Sequence, residues 1–228
     1  MPPPVRGSVH WYDFGPIVGN ELSGIRPALI VSNSELNRSL SVAIAVPMSS
    51  TVPPGRYLRN HVFIEAADSW ASVRQIKTID QSRLGERIAT AGHEELEEMV
   101  EKVVQRLGKR RSAGAVRTSQ GAEQIGAGTL MAVDFQDEHG SAERTEMLAL
   151  DFNRGNEIAI AVEIERRTVP NSPVRIPIEV IGGLLEASAL VHRVRSIDVG
   201  ARDVHLTGHI TEESLISVGK AFLATVDE

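Results

Sequence analysis

The chain contains no cysteine, which excludes disulfide staples, thiolate metal sites and a cysteine nucleophile and fits a reducing compartment. Aromatic residues make up only 4% of it, so any stacking platform rests on few rings. The opening stretch MPPPVRGSVHWYDFGP lacks the charged head and apolar run of a signal peptide. No segment approaches the roughly 20 consecutive apolar residues that span a bilayer. A cytoplasmic protein with no membrane partner is expected. The seven histidines show no metal-ligand spacing, and GNELSG at 19–24 is not followed by the Gly-Lys-Ser/Thr of a phosphate-cradling loop. Neither a metal nor a cofactor is expected.

What is present is a globular composition, 228 residues with 42% apolar side chains, enough for one large domain or two of about 110 residues. The formal charge of −6 is unevenly spread. Residues 1–112 carry 14 Lys/Arg and 12 Asp/Glu, a net of +2, and the remainder carries 10 and 18, a net of −8. A nucleic-acid partner therefore fits the first half better, because phosphate contacts supply much of such affinity.

The pattern of elements runs twice. GSVHWYDF, ALIVSN, SVAIAVPM, HVFIEA and SVRQIKTID read as strands before residue 90. HEELEEMVEKVVQRLG reads as an acidic helix with Leu96, Met99, Val100, Val103, Val104 and Leu107 as its apolar stripe, ended by Gly108. Residues 109–124 are small, basic and Gly-containing, and read as a linker. GTLMAVDF, NRGNEIAIAV and RVRSID then repeat GSVHWYDF, NRSLSVAIAV and RQIKTID, and a helix with Leu215, Val218, Phe222 and Val226 on one face follows, capped by Thr211. From Asn37 to Ile79 is 42 residues and from Asn153 to Ile197 is 44; from Phe14 to Asn37 is 23 and from Phe135 to Asn153 is 18. The difference is expected as five residues lost from the first loop.

That loop carries Glu21 and Arg26 around a glycine-containing turn, with Pro27 leading into a strand. The run RGSVHWYDFGPIVGNELSGIRPALIVSN contains an R-G pair, P-x-x-G-x-E and R-P, and RQIKTIDQSRL follows later. With these motifs residues 6–107 resemble the MazF/PemK/Kid family of toxin endoribonucleases. The resemblance implies a mainly β, α+β fold in which each half is a small SH3-like barrel with a C-terminal helix, as in MazF and the fold-related CcdB. It also implies metal-independent cleavage of single-stranded RNA in a groove that crosses a dimer interface, and an antitoxin protein as partner.

Cutting RNA without a metal requires a base for the 2′-hydroxyl, a cation for the phosphorane and an acid for the leaving 5′-oxygen. By resemblance Arg26 supplies the charge, Glu21 is the candidate base and Ser49, where the family often has Thr, bonds the scissile phosphate. Gln75, Ser50, Lys77 and Arg74 are the expected RNA contacts. Trp11, Tyr57 and Trp70 are candidate stacking rings, although Trp11, inside a strand, is expected in the core. In the second half Arg144 is the nearest stand-in for Arg26, and the Ser49 and Gln75 places fall near Glu163–Glu165 and Arg193. A carboxylate there repels phosphate, so no second catalytic set is expected.

The expected architecture is a fused tandem, 1–108 and a degenerate copy at 125–228, acting as an intramolecular pseudo-dimer and monomeric as a chain. The alternative is a catalytically inactive or autoinhibited MazF/CcdB-like binding or regulatory protein, in which either the acidic half occupies the RNA groove or the whole chain binds without cutting. Glu163 and Glu165 are the charges that discriminate.

Overall fold

The computed structural model describes residues 2–15, 19–107, 114–118, 121–136, 142–153, 157–169, 171–183 and 186–227. Pro16, Gly108, His139 and Arg154 lie outside the described residues. Contacts divide the chain into two compact units. The first is Met1–Ile17 with Leu22–Gly108 and Leu223–Glu228, and the second is Val18–Glu21 with Lys109–Phe222. No helix among the described residues is long and apolar enough to cross a membrane.

In the first unit the strands are β1 (Ser8–Asp13), β2 (Ile25–Ile30), β3 (Val42–Ser49), β4 (His61–Ile64), β5 (Ser69–Ser72), β6 (Lys77–Asp80) and β7 (Arg87–Thr90), with helices α1 (Ser34–Ser39) and α2 (His93–Leu107). The sheet order is β4-β5-β3-β2-β1-β7, with β6 paired to β3. A two-stranded hairpin, β8 (Gly114–Thr118) and β9 (Gly121–Ile125), occupies most of the stretch expected to be a plain linker. The second unit then runs β10 (Thr129–Gln136), β11 (Ala142–Asn153), β12 (Ile158–Glu165), β13 (Arg175–Ile178), β14 (Ala187–Asp198), β15 (Val204–His209) and α3 (Glu212–Val226), whose last residues, from Leu223, count with the first unit. Its sheet order, β13-β14-β12-β11-β10-β15, is that of the first with β14 spanning the places of β5 and β6.

The likeness extends to irregularities. β1 shifts register against β7 between Val9 and His10, and β10 shifts against β15 between Leu130 and Met131. Each follows a glycine with positive φ, Gly7 at +82° and Gly128 at +89°, a backbone region that costs other residues strain. A Cβ on either would sit about as far from a helix leucine, 3.5 Å from Leu96 and 3.6 Å from Leu215. The strings AIAV form the centres of β3 and β12, with Ile44 and Ile160 almost fully buried. Burying such a side chain contributes about 1.5–3 kcal/mol.

Several expectations need correction. The segment SVRQIKTID is not one strand, because a 3-10 turn at Val73–Gln75 divides β5 from β6; the matching chain in the second unit stays extended as β14. β2 begins at Ile25, so Arg26 and Pro27 belong to a strand instead of the loop before it. Trp11 is 42% exposed, since β1 points Tyr12 inward and Trp11 outward. On α2 the buried line is Met99, Val103 and Arg106, while Val104 faces solvent; Arg106 is admitted because Nη1 donates to Asn60 Oδ1 at 2.9 Å. On α3, Val218, Phe222 and Val226 are buried as expected, and Thr211 Oγ1 accepts from the Ser214 N–H at 3.3 Å.

The five missing residues are also distributed differently. Paired residues Val9 and Leu29 are 20 apart and Leu130 and Leu148 are 18 apart, so two residues are missing between the first two strands. Leu29 and Val46 are 17 apart, Leu148 and Val162 only 14. The other three are therefore missing from the next connection, where the first unit builds α1.

Candidate functional site

Pleating decides which side chains share a face. Tyr12 pairs with Arg26, Ala28 with Pro47, Ile30 with Ala45, and Ala45 with Lys77. Strand alternation then places Arg26, Ser49 and Lys77 on the face whose inner part is the apolar cluster of Tyr12, Ala28, Ile30, Ala43, Ala45, Ile79 and Leu84. Three polar groups thus border one apolar floor, on strands that fix them firmly.

Arg26 is the most distinctive of them. Its Nε donates to the Ser23 carbonyl at 2.7 Å and Nη1 to the Met48 carbonyl at 3.5 Å. Among the described residues no carboxylate pairs with it. Burial lowers its pKa from the ordinary arginine value, the mark of a partly desolvated cation without an anionic partner. Met48 precedes Ser49, so the guanidinium reaches the strand end that carries the expected phosphate-binding hydroxyl. Ser49 Oγ accepts the Thr51 N–H at 3.2 Å, which leaves its own proton to donate. Lys77 lies over the ring of Phe14, 5.5 Å from its centroid, and Ser50 is exposed.

The remaining expected contacts are placed differently. Gln75 is buried, and its Oε1 accepts the Leu22 N–H at 3.0 Å, so it anchors the loop that leads to Arg26. Arg74 is buried as well, because the 3-10 turn directs it inward; its charge, after burial itself, helps to lower the pKa of His61. Trp70 packs against Phe63 with centroids 5.0 Å apart, and Tyr57 carries Arg56 over its ring.

Glu21 belongs to the second unit and is held there. Arg202 Nε and Nη2 donate to its two oxygens at 2.9 and 3.1 Å, and the Asp198 N–H donates to Oε1 at 3.1 Å. The pair is almost excluded from solvent, the side chains 10% and 12% exposed. Asn20 donates from its backbone and its amide to Asp198 Oδ2 at 2.7 and 3.0 Å. Sequence reasoning missed Asp198 and Arg202. The available signal was the recurrence of an Ile-Asp followed shortly by Arg, at Ile79-Asp80 with Arg83 and at Ile197-Asp198 with Arg202.

Elsewhere in the second unit the same register shows what replaced the polar set. Val133 pairs with Thr145 where Tyr12 pairs with Arg26, so Thr145, not Arg144, holds the arginine's place. Arg144 instead forms a bidentate pair with Asp134 at 2.7 and 2.8 Å. Glu165 stands for Ser49 and pairs with Arg175 at 3.1 Å. Glu163 pairs with Arg193 at 3.0 Å and with Arg195 at 2.9 Å. The discriminating carboxylates are therefore neutralised by arginines of their own unit.

Comparison with known proteins agrees with the first unit's motifs. Residues 5–107 match the family model of the PemK-like, MazF-like toxin of type II toxin-antitoxin systems. Endoribonuclease EndoA of Bacillus subtilis is 35% identical over 108 residues, covering 45% of this chain and 89% of that protein. By these matches the chain belongs, through its first 107 residues, to the MazF/PemK toxin endoribonuclease family. Among solved structures, MazF from Deinococcus radiodurans is 27% identical and covers 47% of this chain and 98% of its own, with a TM-score of 0.41. An endoribonuclease in complex with its cognate antitoxin, from Mycobacterial species, is 21% identical, covers 46% and 93%, and has a TM-score of 0.38.

Proposed function

We propose that the chain is a toxin-type, metal-independent endoribonuclease with one active site, in the first half, that leaves 2′,3′-cyclic phosphate and 5′-hydroxyl ends. The observation that carries this reading is Arg26, a partly desolvated cation whose hydrogen-bond partners among the described residues are carbonyl oxygens, one strand away from the Ser49 hydroxyl. In this reading Arg26 stabilises the phosphorane, Ser49 and Lys77 hold the phosphate, and Glu21 is the carboxylate of the set. The second half, a degenerate MazF-like copy at about 125–228, is the built-in partner of an intramolecular pseudo-dimer of SH3-like barrels. Its repeated strand order and its loss of the Arg26 and Ser49 counterparts support that role. An antitoxin is the proposed protein partner. The test is incubation of purified chain with single-stranded RNA in the presence of a chelator. Cleavage that disappears in Arg26→Ala supports the reading, and cleavage retained in that variant overturns the assignment.

One observation favours a second reading. The Glu21 carboxylate is occupied by Arg202, which suits an autoinhibited chain whose site opens only when that pair is released. Faster cleavage on loss of Arg202 is its signature.

A further inference from the structure

The turn Asp198–Arg202 has a structure of its own that the repeat does not require. Asp198 Oδ1 accepts the backbone N–H groups of Gly200 and Ala201, each at 3.1 Å, which closes the turn and leaves Oδ2 for Asn20. Arg202 lies over the Phe135 ring, 4.8 Å from its centroid, so the guanidinium is fixed by a flat apolar support before it meets Glu21. Gly19 has φ +54°, and a Cβ there would fall 2.3 Å from Asp198 Oδ2, so glycine is required for the segment to seat. The backbone and amide of Asn20 and the carboxylate of Glu21 are thereby received by one turn. In the first unit the matching Asp80 accepts Ser82, and Arg83 lies over Tyr12 and donates to the Asp13 carbonyl at 3.3 Å.

We infer that Arg202 is a positioning residue for the proposed cleavage, holding residues 19–21 so that the chain they lead into is fixed. The inference rests on the nuclease reading. Leu22, next in the chain, is tied by its N–H to Gln75, and Ser23 supplies the carbonyl that orients Arg26 Nε. Glu21 and Leu22 are adjacent in the chain, so the segment held at Glu21 runs directly into the one that carries the Ser23 carbonyl. A bidentate pair transmits position where a single contact transmits only proximity. Arg202 acts through the Glu21 carboxylate that it grips.

The test uses the full chain carrying Arg202→Gln or Arg202→Lys, with amide exchange at Asn20, Leu22 and Ser23 and steady-state RNA cleavage as readouts. Arg202→Gln is expected to raise exchange at these amides about tenfold and to lower kcat about 10²-fold while KM stays within about threefold. Arg202→Lys, which keeps the charge and loses the fork, recovers part of kcat. Unchanged or faster cleavage in Arg202→Gln overturns the positioning role, the faster case pointing to autoinhibition. A wild-type chain that cuts no RNA defeats the nuclease reading instead, and the exchange data then decide whether Arg202 fixes the loop. Should Arg202→Gln not fold, Asn20→Ala removes the amide's hold on Asp198 and carries the same expectations at smaller size; wild-type exchange and kcat in that variant overturn the inference.

Discussion

Arg26 and Thr145 occupy the same register position in two sheets of the same strand order, and their surroundings differ throughout. Around Arg26 are carbonyl oxygens, a serine hydroxyl and a lysine on an apolar floor. Around Thr145 the neighbouring arginine is bound by Asp134, the serine's place is Glu165, and the lysine's place is Arg195, which pairs with Glu163. In the first arrangement Arg26 meets carbonyl oxygens, and among the described residues no carboxylate pairs with it. In the second, every charge named has its partner within the unit. The comparison shows that a sheet can be preserved while its electrostatic purpose is removed, because pairing neutralises a charge without disturbing the strand that carries it.

The largest expected effect breaks the comparison on its active side. Arg26→Ala should lower RNA cleavage by at least about 10³-fold, the scale of a lost oxyanion-type stabiliser, measured by single-turnover cleavage. Thr145→Arg placed in that variant should restore nothing, since Glu165 faces the site where phosphate would bind. Next comes the shared framework. Ile44→Ala and Ile160→Ala should each cost about 2–5 kcal/mol in urea unfolding, and a large loss in one with none in the other would show that the two cores are not built alike. Glu163→Gln should then destabilise the second unit by about 1–3 kcal/mol, read as a lower Tm, because Arg193 and Arg195 lose their shared counter-charge. Increased cleavage in that variant would revive the reading in which the acidic half occupies the RNA groove.

The smallest effect is with pH. His61 and His192 both have pKa values lowered, first by burial and then by nearby cations, Arg74 and Lys102 for one and Arg193 and Arg175 for the other. Each folded ring prefers to stay neutral, whereas unfolding releases it to an ordinary value of about 6.5. Stability is therefore complete above that value and declines as pH falls toward the lowered folded values. His61→Gln and His192→Gln should flatten the decline, followed by Tm from pH 7 downward; an unchanged slope would show that neither ring titrates with folding.

The repeat was legible because it resides in core packing. AIAV is constrained by burial on both faces, and the intervals between blocks are limited by the lengths of strands. The position of the missing residues was not legible, because counting cannot distinguish two residues lost in one connection and three in another from five lost in the first; only pairing can. Arg26 was placed in the right neighbourhood, yet its strand begins earlier than Ala28, since Pro27 sits opposite Trp11 and is accommodated in β2. Arg74 and Gln75 resembled exposed RNA contacts because a turn of three residues has no periodicity by which to predict its inward faces. The clasp on Glu21 was invisible for a different reason. It joins residues some 180 positions apart, and no local pattern encodes a partner at that distance.

Asn33 caps α1 by accepting the Leu36 N–H, and its own N–H and side-chain amide donate to the carbonyls of Thr225 and Ala224. Those residues count with the first unit although they are made nearly two hundred positions later. A ribosome that has finished the family-like portion has therefore not yet delivered all the backbone that this portion packs against. The time between translation of residue 107 and residue 226 is a built-in delay, during which the cap of α1 waits for the carbonyls that will hold it.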